Sequence, residues 1–346
     1  MKEIVAELVA FGESGEPLAK VPEPSPGWLP KILVSDPLAP AGLELLRQNA
    51  DVAARSKLPP AELIALIPPF EALIVRSETK VTKAVIEAGG NLRVIGRAGN
   101  GLDNVDVETA ALHGIRVLNT PTASTLTVAE HTIGLMLSLA RYVPAAHNSL
   151  VAGKWERSRF MGVQLAFKTL GVIGLGRIGR EVARRAQGLA MKVVAFDPFI
   201  AKTTPEMINV PLVPFKTLLQ SSDFVTIHTP LAPATYHLIG ERELKLMKPT
   251  ARLVNCARGG IVDEAALLAA LNECRLAGAA LDVFENEPPG DCPLLGCDKV
   301  IATPHLGAST HEAQVMAAID IAQQVLTALQ ETAGRPYAPQ PVAMVR

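Results

Sequence analysis

Val172-Ile173-Gly174-Leu175-Gly176-Arg177-Ile178-Gly179 lies near the middle of the 346-residue chain, and Asp197 follows eighteen residues after the last glycine. Thr169 to Gly174 reads as a buried apolar strand and Ile178 to Ala190 as a helix, so Gly174, Gly176 and Gly179 fall on a strand-to-helix turn. Side chains there would block the turn, the approach of a pyrophosphate, or the packing of helix on strand. Phosphates would lie at the helix N-terminus, where unpaired backbone N–H groups point outward. Lys192 to Phe196 reads as the next strand, with Asp197 at its carboxyl end. A carboxylate in that place accepts hydrogen bonds from ribose hydroxyls and repels a 2′-phosphate, so NAD is expected rather than NADP. A lone glycine pattern can be an ordinary turn. Strand, glycines, helix, strand and acid in that order make the dinucleotide reading the stronger one.

The length suffices for two domains with sizeable cores, and a hydrophobic content of 49% marks a globular chain. The formal net charge is -1 and no basic block occurs, which speaks against a nucleic-acid partner. No apolar run is long enough to span a bilayer, so no membrane association is expected. Glu3 and Glu7 interrupt the first residues, unlike a secretory leader, and the segment is too acidic for a transit peptide. The expected location is the cytoplasm. Of the cysteines Cys256, Cys274, Cys292 and Cys297, two lie within regular elements, which suits a reducing compartment. Cys292 and Cys297 lack the partners of a zinc pattern, and no metal is expected.

Residues 1–30, punctuated by Gly12, Gly15, Pro17, Pro22, Pro24, Pro26 and Pro30, read as a loosely ordered arm. Strands are expected at Lys31 to Ser35, Ala72 to Val75, Arg93 to Gly96 and Arg116 to Leu118, with a helix near Ala41 to Gln48. Thr125 to Leu150 reads as one long helix, apolar over much of its circumference, to be buried against its own sheet or another subunit. Further strands follow at Phe224 to Thr229, Arg252 to Cys256, Gly278 to Val283 and Val300 to Thr303, and Thr310 to Gln330 reads as a final helix. Alternating strand and helix predicts an α/β protein of two Rossmann-like domains with doubly wound parallel sheets and an active site in the interdomain cleft. The first would comprise residues 31–121 completed by 306–346, the second residues 122–305, with Pro121 and Pro304 near a closure hinge.

Three segments leave predicted strand ends with reactive residues: Asn255-Cys256-Ala257-Arg258-Gly259-Gly260, Asp282-Val283-Phe284-Glu285-Asn286-Glu287-Pro288-Pro289, and Thr303-Pro304-His305-Leu306-Gly307. Ligands of parallel sheets bind beyond these ends. An imidazole can take a hydroxyl proton near neutral pH, and a carboxylate beside it fixes one tautomer and favours the imidazolium. A guanidinium can grip a carboxylate through two parallel hydrogen bonds. Singly, Arg258 fits a surface ion pair, Glu287 a solvated acid and His305 a hydrogen-bonded loop residue. Together at successive strand ends they fit hydride transfer at a 2-hydroxy acid.

The strings Lys154-Trp155-Glu156-Arg157, Phe160-Met161-Gly162, Asn255 to Glu264 and Pro304 to Thr310 extend the pattern well beyond the glycines. On these, the chain resembles the D-isomer-specific 2-hydroxyacid dehydrogenase family from about Lys31 to the end of the final helix. The resemblance implies His305 as acid/base, Glu287 as its partner and Arg258 as substrate anchor. Glu285 competes with Glu287, which is preferred because the family pattern puts the acid immediately before Pro288. The resemblance also implies cofactor contacts from Arg177 and Ile178 at the pyrophosphate, Asp197 at the ribose, then Thr229, Cys256 and Asp282, the last near the nicotinamide carboxamide.

The function implied is NAD-dependent oxidation of a phosphorylated D-2-hydroxy acid, D-3-phosphoglycerate, at the entry to serine synthesis. A phosphorylated substrate needs cations away from the carboxylate site. The candidates are Arg76, Arg97 and Arg157, the last across a dimer interface, while the turn with Asn100 and Gly101 offers backbone N–H groups to a carboxylate. Asn100 stands where phosphate-handling members often carry threonine, and Pro121 to Thr125 lacks an asparagine-rich form common in the family. The core fold uses the chain to its end, so no C-terminal serine-binding domain is expected. A glyoxylate or hydroxypyruvate reductase and, in another class, an NAD-sensing corepressor remain alternatives on the same fold. A homodimer is expected.

Overall fold

The computed structural model describes residues 29–200 and 209–331, so the expected arm lies outside the described residues up to residue 28. The described residues divide into two compact units, one of residues 29–124 with 310–331, the other within Thr125–Ser309. The expected boundaries fall a few residues short of these. A helix of the second unit begins at Thr125, and the loop after Thr303 is tied into the second unit's sheet.

In the first unit, β1 (Lys31–Val34), β2 (Asp51–Ala54), β3 (Ala72–Val75), β4 (Val94–Arg97) and β5 (Arg116–Asn119) form a parallel sheet in the order β2-β1-β3-β4-β5. Successive strand residues point to opposite faces, and helices cover both, so β3 is apolar throughout and β1 and β4 carry charge only at one end, Lys31 and Arg97. Ile32, Ile74 and Val94 pack with Ile321 and Val325, whereas Leu33, Leu73 and Ile95 pack with Leu63 and Ile86. Between strands run α1 (Pro40–Arg47), α2 (Pro60–Leu66), α3 (Lys83–Ala88) and α4 (Val107–Leu112). The strand β2 was not expected. It is an edge strand of Asp, Val and alanines, partly exposed along its length, and carries little hydrophobic signal.

The second unit begins with α5 (Thr125–Arg141) and α6 (Val143–Val151). The single helix expected over this stretch is broken at Tyr142, whose φ of 56° is left-handed. Pro144 is the cause: in a continuous helix its ring would clash with the carbonyl of Ala140. That carbonyl instead accepts the N–H of Val163 at 2.9 Å. After a short 3-10 turn (Arg157–Phe160) come β6 (Thr169–Ile173), α7 (Arg177–Gly188), β7 (Lys192–Phe196), α8 (Phe215–Ser221), β8 (Phe224–Ile227), α9 (Glu241–Leu244), β9 (Arg252–Asn255), α10 (Glu264–Asn272), β10 (Gly278–Leu281) and β11 (Val300–Ala302). The parallel sheet runs β11-β10-β9-β8-β6-β7. Leu212 adds a parallel bridge to Ala195 on the outer side of β7. That rudimentary strand completes a Rossmann order, which reverses between β6 and β8. The last helix, α11 (His311–Glu331), belongs to the first unit, where Gln324 Nε2 donates to the Asn119 carbonyl at 3.0 Å and Arg116 pairs with Glu331 at 2.6 Å. Among the described residues no helix is long and apolar enough to cross a membrane.

Candidate active site

The crevice where strand order reverses lies beyond the carboxyl ends of β6 and β8, and the glycines line it. Gly174 has φ +90°, and a Cβ on it would lie 2.6 Å from the His228 carbonyl oxygen. A Cβ on Gly179 would collide with the Gly174 carbonyl, so α7 rests directly on the turn. At Gly176, which caps α7, a Cβ would meet open space. Arg177 and Ile178 form the first turn of α7, where backbone N–H groups are unpaired. At the end of β7, Asp197 Oδ2 accepts the Leu175 N–H and Oδ1 the Phe199 N–H, both at 2.9 Å. The carboxylate clamps the glycine turn and, being part-exposed, keeps lone pairs for hydroxyl donors. Thr229 Oγ1, just past β8, is buried with no hydrogen-bond partner among the described residues. An open cradle at a helix N-terminus, an acid on the neighbouring strand and an orphaned hydroxyl beside them fit a dinucleotide. Cys256 is different. Its thiol packs in the core and burial, before the nearby Asp282 charge, pushes its pKa up to about 12. The side chain is therefore a neutral packing group.

Past β11, His305 Nδ1 lies 2.8 Å from Glu287 Oε2, both side chains about half exposed. Glu287 also accepts the Phe284 N–H at 3.2 Å. Burial pushes the Glu287 carboxyl up, but the His305 hydrogen bond and charge, the Phe284 N–H and the Arg258 charge together hold it below the ordinary value. An ionised Glu287 only accepts, so the proton sits on His305 Nδ1 and the lone pair on Nε2. Arg258 follows β9 in a locked turn: Asn255 Oδ1 accepts the Ala257 N–H at 3.0 Å, and Asn255 Nδ2 donates to the Arg258 carbonyl at 2.9 Å. A Cβ on Gly259 would collide with the Phe284 carbonyl, so the Arg258 turn lies against the loop after β10 that carries Glu287. Glu285 points elsewhere, with Oε1 2.9 Å from His237 Nε2.

In the first unit, Arg76 follows β3 and Arg97 ends β4. The Arg97 guanidinium occupies the place a Cβ on Gly99 would take, and Gly99 has φ +144°. The turn of Gly99, Asn100 and Gly101 is held by Asn119 Nδ2 donating to the Asn100 carbonyl at 2.7 Å and by Thr120 N–H donating to Gly99 at 3.0 Å. Arg157 is exposed on the 3-10 turn of the second unit and joins no cluster with Arg258, Glu287 and His305.

Sequence reasoning missed Asp36, Asn104 and His131, which hold these groups, and it named Asp282 only as a cofactor contact. Buried Asp36 accepts the Arg76 N–H at 2.5 Å and the Thr79 hydroxyl at 2.5 Å, and Asn104 Nδ2 donates to the Arg76 carbonyl at 2.7 Å. In the second unit, Asp282 is wholly buried and takes Thr303, His131 and two backbone N–H groups. A sequence-level signal exists for Asp282, at a strand end, but none for His131.

Residues 133–307 match the family described as D-isomer specific 2-hydroxyacid dehydrogenase, NAD binding domain. The chain is 50% identical over 301 residues to the D-3-phosphoglycerate dehydrogenase of Methanocaldococcus jannaschii, covering 87% of this chain and 57% of that protein. It spans about half the length of the curated relatives it matches. A crystal structure of a Thermus thermophilus protein superposes with a TM-score of 0.81 at 33% identity, covering 87% of this chain and 97% of that one. The D-lactate dehydrogenase of Aquifex aeolicus, solved with NAD and lactic acid, gives a TM-score of 0.75 at 28% identity, covering 85% and 94%. With two parallel α/β units, a glycine cradle suited to NAD, and these matches, the chain belongs to the D-isomer specific 2-hydroxyacid dehydrogenase family.

Proposed function

We propose that the chain catalyses NAD-dependent oxidation of D-3-phosphoglycerate to 3-phosphohydroxypyruvate, the entry to serine synthesis. The observation that carries the mechanism is the 2.8 Å pair of His305 Nδ1 and Glu287. It leaves Nε2 as the lone pair that takes the substrate hydroxyl proton, and the ionised Glu287 stabilises the imidazolium that results. Arg258 holds the substrate carboxylate and polarises the C2 oxygen as it becomes a carbonyl. Bound NAD supplies the hydride acceptor. In the reverse direction the His305 imidazolium returns the proton. The phosphorylated substrate is favoured by the names of the relatives and by Arg76 and Arg97 at strand ends of the first unit.

The test is steady-state NADH absorbance with D-3-phosphoglycerate, D-glycerate and D-lactate. A large preference for the phosphorylated acid is expected, and His305→Ala should lower kcat by about 10²–10⁴-fold while NAD still raises the melting temperature. Preference for unphosphorylated acids would move the function to a glyoxylate or hydroxypyruvate reductase. Undiminished turnover by His305→Ala would overturn the mechanism. We also infer a homodimer. No residue of α6 is buried, and Val143, Leu150 and Val151 on it, with Trp155 and Met161 beyond, are exposed.

A further inference from the structure

The loop that carries His305 hangs on one residue of a neighbouring strand end. Asp282, directly after β10, accepts the His305 N–H at 2.9 Å through its backbone carbonyl. Its side chain accepts the next two, Leu306 N–H at 2.7 Å on Oδ1 and Gly307 N–H at 2.8 Å on Oδ2. Three consecutive N–H groups of the loop thus end on one residue. The Thr303 hydroxyl, at the start of the same loop, donates to Oδ1 at 2.6 Å. The remaining donor comes from a different element: His131 on α5, with Nε2 3.2 Å from Asp282 Oδ1 and 3.3 Å from Thr303 Oγ1. Because the Thr303 hydrogen points to Asp282, Nε2 must donate, and the three groups form one closed network.

The arrangement has a job to do. His305 has φ +55°, a left-handed conformation that a non-glycine residue holds only where its surroundings over-determine it. The Asp282 carboxylate lies in a wholly buried site. Burial pushes its carboxyl up, but the hydrogen bonds from His131, Thr303 and Leu306 and the His131 charge together hold it low, so it remains an acceptor. A buried carboxylate that loses a donor is left with an unsatisfied lone pair, which favours its rotation toward another donor. Here that reorientation would release the N–H groups of Leu306 and Gly307.

We propose that His131 is a positioning residue for His305: by donating to Asp282 it fixes the carboxylate that sets the His305 loop, and so aims the imidazole at Glu287. The catalytic part of this rests on the proposed acid/base role of His305. The geometric part does not.

The experiment therefore reads both. In cofactor-free, ¹⁵N-histidine-labelled protein, the His305 Nδ1–H bonded to Glu287 should give a low-field proton resonance, assigned by its loss in Glu287→Ala. His131→Leu should broaden or abolish that resonance and lower kcat by about tenfold or more, with KM within about twofold of wild type. His131→Gln, whose side-chain amide can place an N–H near the position of Nε2, should restore both. His131→Asn keeps the helix surface polar but stops short of Asp282, and should behave like His131→Leu even if that variant folds poorly. A role limited to stability would lower the melting temperature and leave the resonance and kcat in place, and that result in both variants overturns the proposal. If no D-2-hydroxy acid turns over, the functional reading fails while the resonance still decides the positioning.

Discussion

The ring of His228, just past β8, is buried, with Nε2 3.0 Å from Thr226 Oγ1 and Nδ1 without a partner among the described residues. Burial pushes its pKa down to about 3, from an ordinary 6.5. Between those values the unfolded chain binds a proton that the folded chain refuses. Stability therefore falls as pH drops below about 6.5, by about 1.4 kcal/mol per pH unit, and is untouched by this group above it. Urea midpoints of wild type and His228→Leu should accordingly draw together between pH 7 and pH 5, by about 2 kcal/mol in favour of the variant. Parallel profiles would show that the ring finds a way to protonate in place. At this scale the sequence was most legible where chemistry follows a strand directly, as with Arg258 and His305. Asp36 and His131 were not, because their partners lie far along the chain, at Thr79 and Asp282, and only the fold joins them.

Elements were legible where hydrophobic pattern and punctuation agree. The β6–glycine–α7–β7 segment is the plainest instance, since the apolar run, the three glycines and Asp197 each mark a different boundary. The break between α5 and α6 was available in principle from Pro144, yet apolar residues on both sides disguised it. Close approach of helices left a trace only as glycine. A Cβ on Gly42 of α1 would lie 2.5 Å from the backbone oxygen of Ala318 in α11. Alanine favours a helix over glycine by about 1 kcal/mol, but here the clash is with backbone that cannot rotate away. Gly42→Ala should therefore destabilise by about 1–3 kcal/mol in denaturant titration. Gly188→Ala, in the last turn of α7 with open space for the methyl, should be neutral or stabilise by up to about 1 kcal/mol. A stabilised Gly42→Ala protein would mean that α1 and α11 can separate at little cost.

At the scale of the whole molecule, the two-unit organisation could be anticipated because the βα units before residue 120 precede the dinucleotide pattern and need a sheet of their own. The membership of α11 in the first unit rested on more than sequence: Ile321 and Val325 fill the face of β4 that Gly96 leaves bare. Among the described residues, the stretch from α6 onward carries a run of exposed apolar side chains. Trp155 is 77% exposed and Met161 81%, with Leu150 and Val151 also out in solvent. Apolar surface left in water costs about 25 cal/mol per Å², and a stable interface buries roughly 800 Å² per partner. A second copy carries the same strip, so a two-fold pairing would cover both at once. Light scattering on the full chain at micromolar concentration should give the mass of a dimer. Leu150→Asp combined with Val151→Asp should shift it to the monomer, since burying two carboxylates without partners costs more than the contact returns. A monomeric wild type, or a double variant that stays dimeric, would place the subunit contact elsewhere or remove it. In the first case the exposed strip would need a different occupant.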